Sequence, residues 1–92
     1  MKILLTDNQI EYCELIKQIL SFHYSVDLVH VLDCPAALSS IQQDSSIELV
    51  LLDQVLIGES GLDCLRQIRE LKPELPIVMV TAHATEELMQ QA

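Results

Sequence analysis

Polar residues that could handle phosphate or a metal ion follow three apolar segments of the sequence, each where the segment ends. Asp7 and Asn8 follow the first segment, Asp53 follows the third and Thr81 follows the fourth. Two carboxylates gathered with backbone carbonyls would suit Mg²⁺, which keeps several waters and takes only one or two protein carboxylates. A carboxylate can then attack phosphorus, because phosphoryl transfer depends mainly on positioning and charge neutralisation. Asp53 is the predicted nucleophile, since it is the lone acid at the end of the most apolar segment.

A single Asp after an apolar strand has a simpler interpretation. Its side chain often bonds nearby amides, so it serves as a helix cap or a turn former. The occurrence of Asp7, Asp53 and Thr81 in order, each at a strand end, favours a site over three unrelated turns. The spacing carries this signal, and no residue carries it alone.

Apolar and amphipathic segments alternate along the chain and indicate repeated strand–helix units. Residues 3–6, 26–32, 47–52 and 77–80 have the character of strands, and helical spacing of apolar residues predicts a helix after each of them. The unbroken apolar segment 47–52 is typical of a central strand covered on both faces. Four such units predict an α/β fold with a parallel sheet, in which the carboxyl ends of the strands meet at one edge.

Particular residues indicate where the second helix begins and which faces of the third helix and second strand are apolar. Asp33 and Pro35 give the cap and first-turn signals of the second helix, and Leu62 and Leu65 are placed on the apolar face of the third. His30 shares one face of the second strand with apolar residues, and we interpret it, like the other early histidine at position 23, as a surface or edge-strand residue. The segment between Asp53 and the third helix is predicted to be a loop.

Length and charge limit the possible functions. The chain has 92 residues, which predicts one domain over residues 1–92. Its formal charge is −9, and this balance repels phosphate backbones and anionic membrane surfaces. We therefore expect no direct nucleic-acid contact by this segment and no membrane partner. The sequence also shows no signal peptide and no apolar stretch of membrane-spanning length, so the predicted location is cytoplasmic.

Three cysteines, Cys13, Cys34 and Cys64, are widely spaced and form no CxxC pair. This pattern predicts reduced thiols of a cytosolic protein instead of a disulfide framework or a zinc site.

The segments KILLTDN, ELVLLDQVLIGESGLDCLRQIR and PIVMVTAHA resemble the successive motifs of bacterial response-regulator receiver domains. The resemblance implies a flavodoxin-like doubly wound parallel sheet of strand order 2-1-3-4. It also implies that a histidine kinase or phosphotransfer protein phosphorylates Asp53, so that the chain is a signalling domain and not an enzyme. The resemblance assigns the site as follows: phosphoacceptor Asp53; Mg²⁺ ligands Asp7, Asn8, Asp53 and the carbonyl of Val55; switch and phosphate-binding residues Thr81 and Ala82; residues tuning phosphate lifetime Val55 and His83.

Two departures from the family pattern matter. Asn8 stands where the family usually has a second carboxylate, and its neutral amide oxygen predicts weak Mg²⁺ binding. The sequence also ends before the family's fifth strand, with its Lys, and before the fifth helix, which predicts a truncated receiver domain over residues 1–92. An exposed fourth strand at residues 77–80 then predicts a homo-oligomer formed through this region.

Two other functions compete with phosphorylation. One is a phosphorylation-independent, receiver-like interaction or dimerisation module, which Asn8 and the missing terminus favour. The other is a small phosphatase-like or nucleotide-binding α/β protein. The sequence has neither GxGxxG nor a P-loop and leaves too little chain for a substrate domain, so this alternative is the weakest.

Overall fold

Four strands of the described residues form one parallel sheet, with helices packed against it. The computed structural model describes residues 1–23, 25–56 and 59–80. The strands are β1 (Lys2–Thr6), β2 (Asp27–Val31), β3 (Ile47–Asp53), β4 (Val55–Leu56), β5 (Glu59–Ser60) and β6 (Ile77–Val80), and the helices are α1 (Ile10–His23), α2 (Cys34–Gln43) and α3 (Gly61–Leu71). The sheet order is β2-β1-β3-β6, with every neighbouring pair parallel. This confirms the predicted order 2-1-3-4, since β6 is the fourth predicted strand.

Local sequence signals set where the helices begin. Asp33 caps α2, and its side chain accepts a hydrogen bond of 2.9 Å from the Ala36 N–H, while Pro35 lies in the first turn. Both signals were predicted. Ser60 caps α3 in the same way by accepting from the Asp63 N–H at 3.2 Å.

The main core lies on one face of the sheet, beneath α2 and α3. Leu4, Val50 and Leu52 point to this face, because side chains alternate along a strand. They pack against residues of the two helices, namely Cys34, Ala37, Ile41, Cys64 and Ile68. The neighbouring residues Ile3 and Leu5 are also buried, so β1 is covered on both faces.

Two helices of this core are joined covalently. Cys34 in α2 and Cys64 in α3 form a disulfide with a Cα–Cα distance of 5.8 Å. The prediction that all cysteines are reduced thiols is therefore wrong for this pair, and Cys13 alone is a free cysteine. Their separation of 30 residues gave no local motif, and only the side-by-side packing of α2 and α3 brings the two sulfurs together.

Two further sequence interpretations need correction. The predicted loop after Asp53 contains a short antiparallel ladder in which Val55 pairs with Ser60. Leu62 was placed on the buried face of α3, but 53% of its surface is exposed, and Cys64 is fully buried instead. The buried positions of α3 are Gly61, Cys64 and Ile68, a spacing that turns Leu62 toward solvent.

None of the helices in the described residues is both long and apolar enough to span a bilayer.

Candidate functional site

Asp7 and Asp53 lie together at the carboxyl edge of the sheet. Thr6, the last residue of β1, is opposite Leu52 in β3, so the residues that follow each of them are neighbours. Their carboxyl groups are close enough for a side-chain hydrogen bond. Asp53 is half-buried and is the last residue of β3. The register of the central strands therefore brings two acids, which are 46 positions apart in sequence (53 − 7), to one point.

Asp7 is a nearly fully buried acid, with only 1% of its surface exposed. Its Oδ1 accepts a hydrogen bond of 2.8 Å from the Gln9 N–H, which fixes the side chain in a local turn. Burial raises the pKa of Asp7 above its ordinary value, and the neighbouring Asp53 charge raises it further. The bond from Gln9 and the proximity of His30 lower the pKa but do not cancel the rise. A cation placed between the two carboxyl groups would relieve their repulsion.

The first residue of α3 packs directly against the backbone of Asp53. The Gly61 N–H donates a 2.8 Å hydrogen bond to the carbonyl of Gln54. A Cβ at Gly61 would overlap the carbonyl oxygen of Asp53 and would lie 2.9 Å from both the Gln54 Cα and the Met79 methyl carbon. Only glycine permits this approach, so the close packing of α3 against the end of β3 requires that residue.

His30 is a site neighbour that sequence reasoning missed. Its Nε2 lies 2.7 Å from the carbonyl oxygen of Asp7 and 2.9 Å from the Cys13 sulfur. The edge-strand placement was right, since β2 is at the edge of the described sheet. The side chain is half-buried there, so it is less exposed than a surface residue. Its position two residues after the apolar Leu28, on the same face of the strand, was the available signal that the ring points inward.

Cys13 contacts the His30 ring through its sulfur. This residue of α1 is 4% exposed. Burial, followed by the charges of nearby acids including Asp7, raises the pKa of Cys13 to about 12. The group therefore remains a neutral thiol at neutral pH and is a poor nucleophile and metal ligand.

Of the other predicted site residues, the structure describes Asn8 and Val55. Asn8 is exposed beside Asp7, and Val55 belongs to β4. Val80 is opposite Asp53 in the β3–β6 ladder. The predictions for Thr81, Ala82 and His83, like the helix predicted after residues 77–80, fall outside the described residues.

The donor set fits a cation that needs few protein ligands. Within residues 1–23, 25–56 and 59–80, no three His, Cys, Asp or Glu side chains cluster as a metal site. Zinc and calcium sites built from protein groups usually need three or more such ligands, whereas Mg²⁺ accepts one or two carboxylates with waters and carbonyls. The carboxyl groups of Asp7 and Asp53 match the one or two carboxylates that Mg²⁺ accepts.

Known proteins resemble this chain in sequence and in fold. The family of response regulator receiver domains matches residues 3–92. The transcriptional regulatory protein CpxR of Escherichia coli (strain K12) is 35% identical over 86 residues, which make up 92% of this chain and 35% of CpxR. This chain thus spans about a third of the length of such regulators.

Solved structures give the same result. The receiver domain of NtrX from Brucella abortus is 34% identical with a TM-score of 0.75, over 84% of this chain and 64% of that one. A CheY-like response regulator receiver domain protein from Methanospirillum hungatei JF-1 is 28% identical with a TM-score of 0.73, over 87% of this chain and 62% of that one. These similarities confirm the predicted flavodoxin-like fold.

Proposed function

This chain belongs to the family of response regulator receiver domains, and we propose that Asp53 is its phosphoacceptor. As a receiver domain it serves two-component signal transduction. The observation that supports the assignment to Asp53 is its contact with the buried Asp7 at the carboxyl ends of β3 and β1. Ligands bind at this edge in doubly wound sheets.

The proposed reaction is a phosphoryl transfer to a carboxylate. An oxygen of Asp53 attacks the phosphorus of a phosphohistidine in the donor protein, and a P–O bond forms. The P–N bond breaks, and its electron pair passes to the imidazole nitrogen. The product is an acyl phosphate on Asp53 and a free histidine in the donor.

Magnesium is the proposed cofactor, since receiver domains generally bind it at the phosphorylation site. Asp7 and Asp53 would hold the ion, with the carbonyl of Val55 and the amide of Asn8 as further ligands. The bound ion would supply charge neutralisation for the two carboxylates and the incoming phosphoryl group. Because Asn8 is neutral, we expect the affinity for Mg²⁺ to be weak.

The remaining assignments follow from the family resemblance. We propose that Thr81 supplies the switch hydroxyl, that Ala82 contacts the phosphoryl group, and that Val55 and His83 tune its lifetime. The β3–β6 pairing supports the role of Thr81, because Val80, the residue before it, lies opposite Asp53.

Receiver domains interact with histidine kinases or phosphotransfer proteins and are generally signalling domains, not enzymes. We propose such a donor as the partner of this chain. Homo-oligomer formation through β6 stays a prediction; β6 is at the edge of the described sheet, and Val78 is 47% exposed. Light scattering across a concentration series tests it, and a monomer at every concentration would contradict it. The cytoplasmic location and the single domain over residues 1–92 also stay predictions.

Labelling with acetyl phosphate tests the phosphoacceptor. We expect Mg²⁺-dependent gain of one phosphoryl mass in the wild-type chain and no gain in Asp53→Asn. Asp27→Asn is the matched control, because Asp27 is an exposed acid at the start of β2 and should leave labelling unchanged. Absence of labelling at high Mg²⁺, or labelling that persists in Asp53→Asn, would refute the assignment. The first result would instead support the phosphorylation-independent module.

A further inference from the structure

We propose that His30 is a positioning residue, which fixes the Asp7 turn for cation binding by donating a hydrogen bond from Nε2 to the Asp7 carbonyl oxygen. This inference rests on the proposed function, because it concerns the same pair of carboxylates. His30 would touch neither the cation nor the phosphoryl group. It acts on the backbone that carries one of the ligands.

The contact defines which ring nitrogen carries hydrogen. A carbonyl oxygen can only accept a hydrogen bond, so Nε2 of His30, 2.7 Å away, must be the donor. The Cys13 sulfur, 2.9 Å from the same nitrogen, can therefore act only as an acceptor toward it. The ring is thus held between α1 and the end of β1, with its donor aimed at Asp7.

The Asp7 peptide needs such a partner because it lies past the regular ladder. The pairing of β1 with both neighbouring strands ends at Thr6. Beyond it, the Asp7 N–H donates to the Val31 carbonyl at 3.1 Å, and the Asp7 carbonyl accepts from His30. Two consecutive residues of β2 therefore hold both sides of Asp7.

The two hydrogen bonds from β2 to the Asp7 backbone matter because the next two residues are exposed. Asn8 and Gln9 face solvent, yet the Gln9 N–H orients the Asp7 carboxylate through a 2.8 Å hydrogen bond. Loss of the His30 contact would leave a buried carbonyl without that donor and would free the turn to rotate. The carboxylate of Asp7 would then lose its fixed position beside Asp53.

The comparison of His30→Gln with His30→Asn tests the proposal in the full chain. The amide nitrogen of Gln reaches about as far as Nε2, whereas that of Asn is one methylene shorter. The measurement is the rate of acetyl phosphate labelling as a function of Mg²⁺ concentration. Residues that hydrogen-bond a metal ligand typically change the affinity for the metal by about 10–100-fold. His30→Asn should therefore raise the half-saturating Mg²⁺ concentration by about tenfold or more.

In His30→Gln we expect half-saturation close to that of the wild type, and in both variants a maximal rate near the wild-type value at saturating Mg²⁺. Asp27→Asn, an exposed position at the other end of β2, is the control and should match the wild type. Circular dichroism verifies that each variant folds, and if His30→Asn does not fold, His30→Leu takes its place.

The outcomes separate this inference from the proposed function. Wild-type labelling with equal Mg²⁺ dependence in the Gln and Asn variants overturns the role of His30 and leaves the phosphoacceptor intact. A drop in maximal rate without a shift in half-saturation also overturns it. A wild-type chain that is never labelled refutes the proposed function itself.

Discussion

Reduction of the disulfide between Cys34 and Cys64 should lower the stability of the chain substantially. The bond joins residues separated by 30 positions. In the chain-entropy description, closing a loop of that length in the unfolded state stabilises the folded state by about 3.6 kcal/mol at 25 °C. Both sulfurs are fully buried in the α2–α3 core, and the reduced thiols can remain packed there. The loss on reduction should therefore be close to this entropic value.

Equilibrium unfolding in urea, followed by circular dichroism, measures this effect. With a slope of roughly 1–2 kcal/mol per molar urea for a chain of this size, the midpoint should fall by about 2–4 M when dithiothreitol is added. The double variant Cys34→Ser, Cys64→Ser is the control, since its midpoint should be insensitive to dithiothreitol. Equal midpoints with and without reductant in the wild type would refute the reasoning, as would alkylation of all three cysteines in the unreduced protein.

Three further substitutions test the site and its surroundings. Gly61→Ala should destabilise the fold by about 2 kcal/mol, because its Cβ meets the backbone of Asp53, and a variant as stable as the wild type in urea would contradict the close approach. Thr6→Val should stabilise by about 1 kcal/mol, because the buried Thr6 hydroxyl has no hydrogen-bond partner in the described part of the chain. Asp7→Asn should be more stable than the wild type at neutral pH. Because the pKa of Asp7 is raised in the folded state, protonation of Asp7 increases the free energy of unfolding at pH values below the ordinary Asp pKa. This increase is lost as the pH rises through the folded-state pKa. Urea midpoints from pH 3 to 7 should show that the extra stability of Asp7→Asn over the wild type disappears in acid. The same extra stability at every pH would contradict the burial argument.

The positions of the four strands of the parallel sheet and of the acidic pair could be predicted because each depends on local sequence. The apolar segments give strands by composition alone, and Asp7 and Asp53 follow two of them directly. In a parallel sheet, the ends of adjacent strands meet whatever lies between them. The cap at Asp33 was equally local, because Pro35 follows it within one turn.

What sequence could not predict depends on how separate elements pack. The disulfide needs α2 beside α3 and the correct rotation of both helices. That rotation also exposes Leu62, which its apolar character had placed inside. His30 was assigned to the correct strand, but its contact with Asp7 depends on β2 pairing with β1 in one particular register.

The glycine at the start of α3 has a mechanical consequence for the site. Because no Cβ fits between Gly61 and the Asp53 carbonyl and the Gly61 N–H bonds to Gln54, the main chain at Asp53, the proposed acceptor, is held directly against the first turn of α3. The same helix is tied to α2 one turn further on, at Cys64. The position of Asp53 therefore depends on how α2 and α3 pack together. We therefore expect core substitutions between α2 and α3, well away from either acid, to shift the geometry of the proposed phosphoryl transfer to Asp53.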